Sequence, residues 1–181
     1  MEPKINFCSC CGATVTPRIP VGDVLVRAVC DTCGVIHYQN PKLVVGSLPV
    51  WEGKVLLCRR AIEPRHNMWT LPAGFMENNE TMPEAAVRET REEACANIEL
   101  GDLYTLISVP HISQVHTFYY ARLLDLNFAA GIESLEVALF TEEQIPWDEI
   151  AFRTVAVTLR HFFTDRKSGQ FRFRSAELPP P

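Results

Sequence analysis

Five of the seven cysteines in this 181-residue chain fall within its first 33 residues, and four of them stand in two pairs, Cys8-x2-Cys11 and Cys30-x2-Cys33, separated by 18 residues. Each C-x-x-C loop turns two thiolates to one side, and two such loops close a tetrahedron around a single ion. Zn²⁺ favours four soft ligands at about 2.3 Å, and this spacing lies in the range of zinc sites. Gly12 and Gly34 follow the second cysteine of each pair, where a tight turn needs conformational freedom. Cys10 is the spare thiol. A secreted disulfide framework would use an even number of cysteines spread along the chain. One metal site in a reducing compartment fits the crowding better than free or disulfide-bonded thiols. Four protein ligands leave no open position, so the Zn²⁺ is expected to be structural, holding a segment too small to have a core.

The remainder of the chain reads differently. Hydrophobic residues make up 47% of the whole, enough to build a packed domain. Net charge is −5, from 17 basic and 22 acidic residues, which opposes broad binding to a nucleic-acid backbone. No apolar run approaches the roughly 18 residues of a membrane span, and "MEPKINFCSC" has no apolar leader region, so a cytoplasmic protein without membrane contact is expected. The texture divides the chain into residues 1–40 and 41–181. In the first unit the cysteine pairs flank a stretch suited to a short hairpin. In the second, "KLVVGSLPVW" and "KVLLCRR" are strand-like runs around a Glu52-Gly53 turn, residues 66–80 read as irregular, and strands are expected near 103–109, 115–123, 136–140 and 170–174. Phe152, Val155, Ala156, Leu159, Phe162 and Phe163 recur at helical spacing and predict a packed helix over 151–166. Strands mixed with a few helices, out of strict alternation, predict an α/β sandwich with a mixed sheet.

"GFMENNETMPEAAVRETREEA", Gly74 to Ala94, gathers five glutamates in its last fifteen residues. Thr81-Met82-Pro83-Glu84 is a capping box with proline in the first turn, so a helix begins there. Glu89, Glu92 and Glu93 are then related by i, i+3 and i+4 and share one face, next to the small Ala85 and Ala86. Left bare, such carboxylates repel. Arg88 and Arg91 offset part of the repulsion, and a hard divalent cation, Mg²⁺ or Mn²⁺, would remove it. On spacing alone, a solvated ion-pair face and a metal site stand level.

The pattern Gly74-x5-Glu80-x7-Arg88-Glu89-x2-Glu92-Glu93 resembles the Nudix box, G-x5-E-x7-R-E-U-x-E-E-x-G-U with U apolar, and matches it at every charged position. Thr90 and Ala96 are smaller than the usual apolar residues, and Cys95 replaces the second glycine. If that position needs φ > 0, Cys costs about 1–2 kcal/mol there, or Asn97 carries the left-handed turn instead. The cysteine-rich start, "IHYQNPKLVVG", "WTLPAGFME" and "ESLEVALF" extend the resemblance to a Nudix subgroup with an N-terminal zinc ribbon that includes FAD and ADP-ribose pyrophosphatases. The "SQPWPFPxS" motif that follows the box in NADH pyrophosphatases is absent.

The resemblance implies a Nudix α/β/α sandwich over 41–181 behind a zinc ribbon over 1–40. It implies hydrolysis of a nucleoside diphosphate linked to another moiety, with FAD cleaved to FMN and AMP as the first expectation and ADP-ribose as a second activity, and with a small-molecule dinucleotide or nucleotide-sugar as partner. Glu89, Glu92 and Glu93 are the implied Mg²⁺ or Mn²⁺ ligands and catalytic residues, assisted by a backbone carbonyl near Ala73 or Gly74. Glu80 and Arg88 brace the loop and helix. A further glutamate outside the box serves as base or ligand; Glu133 and Glu136 are candidates, and Glu136 is favoured because it adjoins a strand. His111 and His116 are weaker candidates, more in keeping with packing. Trp69, Phe118, Tyr119, Tyr120 and Phe140 offer rings for stacking, against the competing reading of plain core. Alternation places Phe118 and Tyr120 on one face and Tyr119 on the other. Arg59 and Arg60 end a strand and are candidates for phosphate binding, although solvated surface is the stronger reading. An NADH pyrophosphatase is the alternative enzyme, and a nucleic-acid-binding zinc-ribbon protein with a silent Nudix domain is the alternative from another class. Homodimers are common among ADP-ribose-type relatives.

Overall fold

The structure, a computed structural model, describes residues 4–181; Met1–Pro3, the start of the segment read for a leader, lie outside the described residues. The chain forms two compact units that divide between Pro41 and Lys42. Among the described residues no helix is long and apolar enough to cross a membrane.

The first unit is a three-stranded antiparallel sheet, β1 (Val15–Arg18), β2 (Arg27–Cys30) and β3 (Ile36–His37), in the order β1-β2-β3. Its two cysteine loops share one construction. Gly12 N–H donates to Cys8 O and Gly34 N–H to Cys30 O, at 2.9 and 3.0 Å. Both glycines have φ near +75°, the left-handed turn that a side chain resists. Among the described residues of this unit, Cys8, Val29 and Cys30 are the hydrophobic ones that are buried, so it has almost no apolar core.

The second unit is built on a mixed sheet. Its strands are β4 (Lys42–Trp51), β5 (Lys54–Arg60), β6 (Trp69–Thr70), β7 (Ala73–Phe75), β8 (Ile98–Val109), β9 (Gln114–Leu123), β10 (Ser134–Phe140) and β11 (Arg174–Glu177). The main order is β10-β5-β4-β9-β8-β11, with β6 on β5 and β7 on β4. The pairs β4–β9 and β8–β11 are parallel and the others antiparallel. Glu52 and Gly53 both take positive φ, 48° and 78°, which gives the β4–β5 hairpin the turn that matches strand twist.

Helix α1 (Met82–Ala94) covers one face and α2 (Arg153–Ser168) the other. Alternation along the strands divides the core between them. On β5, Val55 and Leu57 pack in the α2 cluster, whereas Leu56 and Cys58 pack with Ala94 and Ala96. On β9, Phe118 and Tyr120 face the α2 cluster and Tyr119 the α1 side. The result is an α/β/α sandwich. Two strand expectations need correction. The 66–80 stretch is not wholly irregular, because within it β6 pairs with β5 and β7 with β4. Residues 170–173 do not join the sheet: Phe171 instead packs against Tyr120 and Phe162, at 5.2 and 5.8 Å between ring centres, and the ladder begins only at Arg174. There Arg174 is held by Asp165 of α2, which also accepts a bond from the Tyr104 hydroxyl at 2.9 Å.

Candidate active site and metal centres

The four cysteines of the first unit converge. Their Sγ atoms all lie within 4.8 Å of one another, with Cys8–Cys33 at 3.6 Å and Cys11–Cys30 at 3.5 Å. Ligands at about 2.3 Å from a tetrahedral ion stand ~3.8 Å apart, so the set fits zinc. Cys10 contributes its backbone N–H to Cys8 Sγ, and its own side chain is exposed. Among the described residues this is the one group of three or more His, Cys, Asp or Glu ligand atoms drawn so close together.

The second centre lies on α1. Thr81 caps the helix reciprocally with Glu84: Glu84 N–H donates to Thr81 Oγ1 at 3.4 Å, and Thr81 N–H to Glu84 Oε2 at 2.8 Å. Ala85, Ala86, Thr90 and Ala94 seat the helix against the sheet, where Thr90 Oγ1 meets Ser47 Oγ at 2.5 Å. The smaller residue at 90 thus makes a polar contact with β4 in place of apolar packing. Arg88 ties the preceding loop to the helix. It makes a bidentate pair with Glu80 (2.7 and 3.0 Å), reaches Glu89 at 2.7 Å and Glu92 at 3.0 Å, and donates to Phe75 O at 3.2 Å. Arg88, together with the Glu77 N–H, holds the Glu80 carboxyl down at about 2.

Glu89 and Glu93 are buried and Glu92 is exposed. Burial raises the Glu89 pKa against the pull of Arg88. Burial, then the like charge of Glu89, pushes the Glu93 carboxyl up to about 8, although Ala73 N–H donates to it at 3.3 Å and the Arg60 charge favours its ionised form. Gly74 lies against this cluster: a Cβ there would come within 2.3 Å of Glu89 Oε1, so only a bare Cα leaves the carboxylate its place. Hard oxygen donors, two of them buried beside like charge, suit Mg²⁺ or Mn²⁺.

Glu136 requires correction as the favoured glutamate outside the helix. It is exposed and faces Arg59 across the β10–β5 pair, 3.5 Å away. From outside the helix, the Glu133 carboxylate adds a small like-charge push to both Glu89 and Glu93, after burial and the helix's own glutamates. A bulge between Ser134 and Glu136 shifts the register, so adjacency to the strand does not aim Glu136 at the helix. Arg60 also differs from the solvated reading. It is 9% exposed, its Nε donates to Pro64 O at 2.9 Å, and its guanidinium lies 5.1 Å from the centre of the Phe152 ring. Among the described residues it forms no ion pair. Next to it in register, Ser134 Oγ is buried without a hydrogen-bond partner.

Trp69 and Phe118 are not available for stacking. Both are buried in the α2-side core, and Trp69 meets Phe140 edge-on at 4.8 Å. Tyr120 is half-buried against Phe162 and Phe171 on the same face, opposite α1. His111 is exposed in a 3-10 turn after β8. His116 is buried, bonded to Thr154 Oγ1 and Gln114 Oε1, and burial lowers its pKa to about 4. Because its folded pKa lies below the unfolded value of about 6.5, the unfolded chain takes up the proton first as pH falls. This stabilising contribution, on the order of 3 kcal/mol at most, is complete above pH ~6.5 and lost as pH drops towards 4. Denaturant melts at stepped pH should show that decline, and His116→Gln should flatten it.

The helix ends on Cys95, which itself takes the left-handed conformation (φ 49°, ψ 26°) and donates to Arg91 O; Asn97 does not, and instead bonds Asp125. Cys95→Gly is expected to raise stability by about 1 kcal/mol, the left-handed penalty less the extra chain entropy of glycine. Equilibrium denaturation measures it.

An α/β/α sandwich with this arrangement, the glycine on β7, one glutamate in the loop and the arginine and three glutamates on α1, defines a Nudix domain. The profile described as NUDIX domain matches residues 40–157, and that described as Nudix N-terminal, a zinc ribbon, matches residues 6–39. The chain belongs to the Nudix hydrolase family. A crystal structure of a NUDIX hydrolase from Nitrosomonas europaea is 55% identical with a TM-score of 0.92, covering 96% of this chain and 98% of that one. An ADP-ribose pyrophosphatase of Methanocaldococcus jannaschii is 29% identical over 60% of this chain and 67% of its own length. An NAD-capped RNA hydrolase of Schizosaccharomyces pombe is 25% identical over 92% of this chain, which spans 44% of that protein.

Proposed function

We propose that this protein hydrolyses the pyrophosphate bond of an ADP-linked small molecule, with ADP-ribose as the leading substrate, using a divalent cation held by Glu89, Glu92 and Glu93. The observation that carries this reading is the pair of buried carboxylates, Glu89 and Glu93, beside the bare Cα of Gly74 and the unpaired, buried Arg60. When bound, Mg²⁺ or Mn²⁺ neutralises phosphate oxygens and lowers the pKa of a water. The chain's own groups do the rest. Arg60 offers its free guanidinium nitrogens to a phosphate, whose arrival supplies the anion that a buried arginine lacks. Glu133 accepts the proton of the attacking water as the new P–O bond forms and the bridging P–O bond breaks. Arg88 and Glu80 hold the loop that presents Gly74.

The relative named as an ADP-ribose pyrophosphatase supports that substrate. Cleavage of FAD to FMN and AMP rests on resemblance alone, since Trp69 and Phe118 lie in the core. A second reading, an NAD-type substrate, gains from the relative whose similarity extends over the ribbon as well. The zinc of the ribbon, on Cys8, Cys11, Cys30 and Cys33, is structural. Steady-state kinetics with ADP-ribose, FAD, NADH and NAD-capped RNA, each with Mg²⁺ or Mn²⁺, test the assignment. ADP-ribose should give the highest kcat/KM, yielding AMP and ribose 5-phosphate. A clear preference for NADH or capped RNA would replace it with the second reading.

A further inference from the structure

The loop after β9 closes on the C-terminal end of α1. Ala129 N–H donates to Ala94 O at 2.9 Å and Gly131 N–H to Glu93 O at 3.0 Å, so the loop satisfies carbonyls that the helix end leaves open. Gly131 makes the closest approach. A Cβ there would lie 1.7 Å from Glu92 O and 2.8 Å from its carbonyl carbon. Its φ is outside the left-handed region, so the backbone conformation does not call for glycine; the contact does. Two residues on, Glu133 is anchored again, its carbonyl accepting from Ala61 N–H at 2.8 Å, and Ser134 N–H donates back to Gly131 O at 3.1 Å.

We propose that Gly131 is a positioning residue: its bare Cα lets the loop lock onto α1 and thereby sets the Glu133 carboxylate against the helix's glutamates. This rests on the reading of Glu133 as the base. Glu133 is exposed and sits on a loop, so its own side chain has little packing to fix it. The register comes from two anchors, Gly131 against α1 and the Glu133 carbonyl on Ala61 just past β5. An alanine at 131 forces the loop back from the Glu92 carbonyl by roughly 1.5 Å; it meets the backbone of that residue and not its carboxylate, and the displacement is enough to spoil alignment of a proton acceptor.

The test is a double-mutant cycle on the full, zinc-loaded chain with ADP-ribose and Mg²⁺. Gly131→Ala should lower kcat at least about tenfold with little change in KM. Added to Glu133→Gln, it should cost little more, because the residue through which it acts is already disabled. A folded Gly131→Ala with wild-type kcat, or a loss that multiplies fully with that of Glu133→Gln, overturns the proposal. Should Gly131→Ala fail to fold, a glycine inserted between Gly131 and Ile132 decides. It keeps the close contact and slackens the tether to Glu133, so kcat should fall with thermal stability nearly unchanged; wild-type kcat in that variant overturns the proposal. A fully active Glu133→Gln is a different failure: it removes the base assignment itself.

Discussion

Glu93→Gln should lower kcat for pyrophosphate hydrolysis at least about a hundredfold while leaving the fold intact, because it removes charge where charge must be stabilised as the bond breaks. The substitution is nearly isosteric, and the amide oxygen of Gln can still accept from Ala73 N–H. The metal-free protein should lose no stability. Burial already disfavours the ionised form of Glu93, and a neutral amide there avoids both desolvation and the like charge of Glu89. The signs therefore oppose each other: unchanged or higher stability without metal, loss of catalysis with it, and a smaller rise in melting temperature on adding Mg²⁺. Activity near the wild-type level would sink the ligand assignment.

The second large effect concerns the ribbon. Structural zinc contributes on the order of 10–16 kcal/mol of apparent folding free energy in small zinc domains, and the first unit has almost no apolar burial to replace it. The ties from β1 to the loop after β2, Arg18–Asp31 and Thr16–Asp31, are exposed, and exposed pairs of this kind contribute at most about 1 kcal/mol each. Elemental analysis should find about one zinc per chain, near none in Cys11→Ser, and a full complement in Cys10→Ser. Proteolysis should open the first unit of Cys11→Ser. A zinc-free chain with a protected first unit would contradict this.

Local chemistry made much of this readable beforehand. The capping box placed the start of α1, the apolar spacing placed α2, and Glu52-Gly53 marked the hairpin, because each depends on residues close in sequence. Strand alternation sorted Phe118 and Tyr120 from Tyr119 for the same reason. The site was less legible where it depends on long-range packing. Arg60 looks like a surface arginine in sequence, and only the Pro64 carbonyl and the Phe152 ring bury it. Glu133 and Glu136 are both loop-to-strand glutamates, and the bulge that turns Glu136 towards Arg59 has no signal in composition. Gly131 precedes "IESLEVALF" as an ordinary turn glycine would; its need to approach Glu92 O arises only once α1 and the loop are packed. Cys95, which breaks the box pattern, takes up the left-handed turn regardless, since the capping contacts around it over-determine that conformation.

The most direct test of the account is phosphorus NMR of ADP-ribose incubated with zinc-loaded protein, first stripped of other divalent cations and then supplied with Mg²⁺ or Mn²⁺. No turnover is expected before the addition, conversion to AMP and ribose 5-phosphate after it, and none at either stage with Glu93→Gln. Hydrolysis that proceeds equally without added cation, or a folded, zinc-loaded, Mg²⁺- or Mn²⁺-supplied chain that leaves ADP-ribose, FAD and NADH all intact, would contradict it.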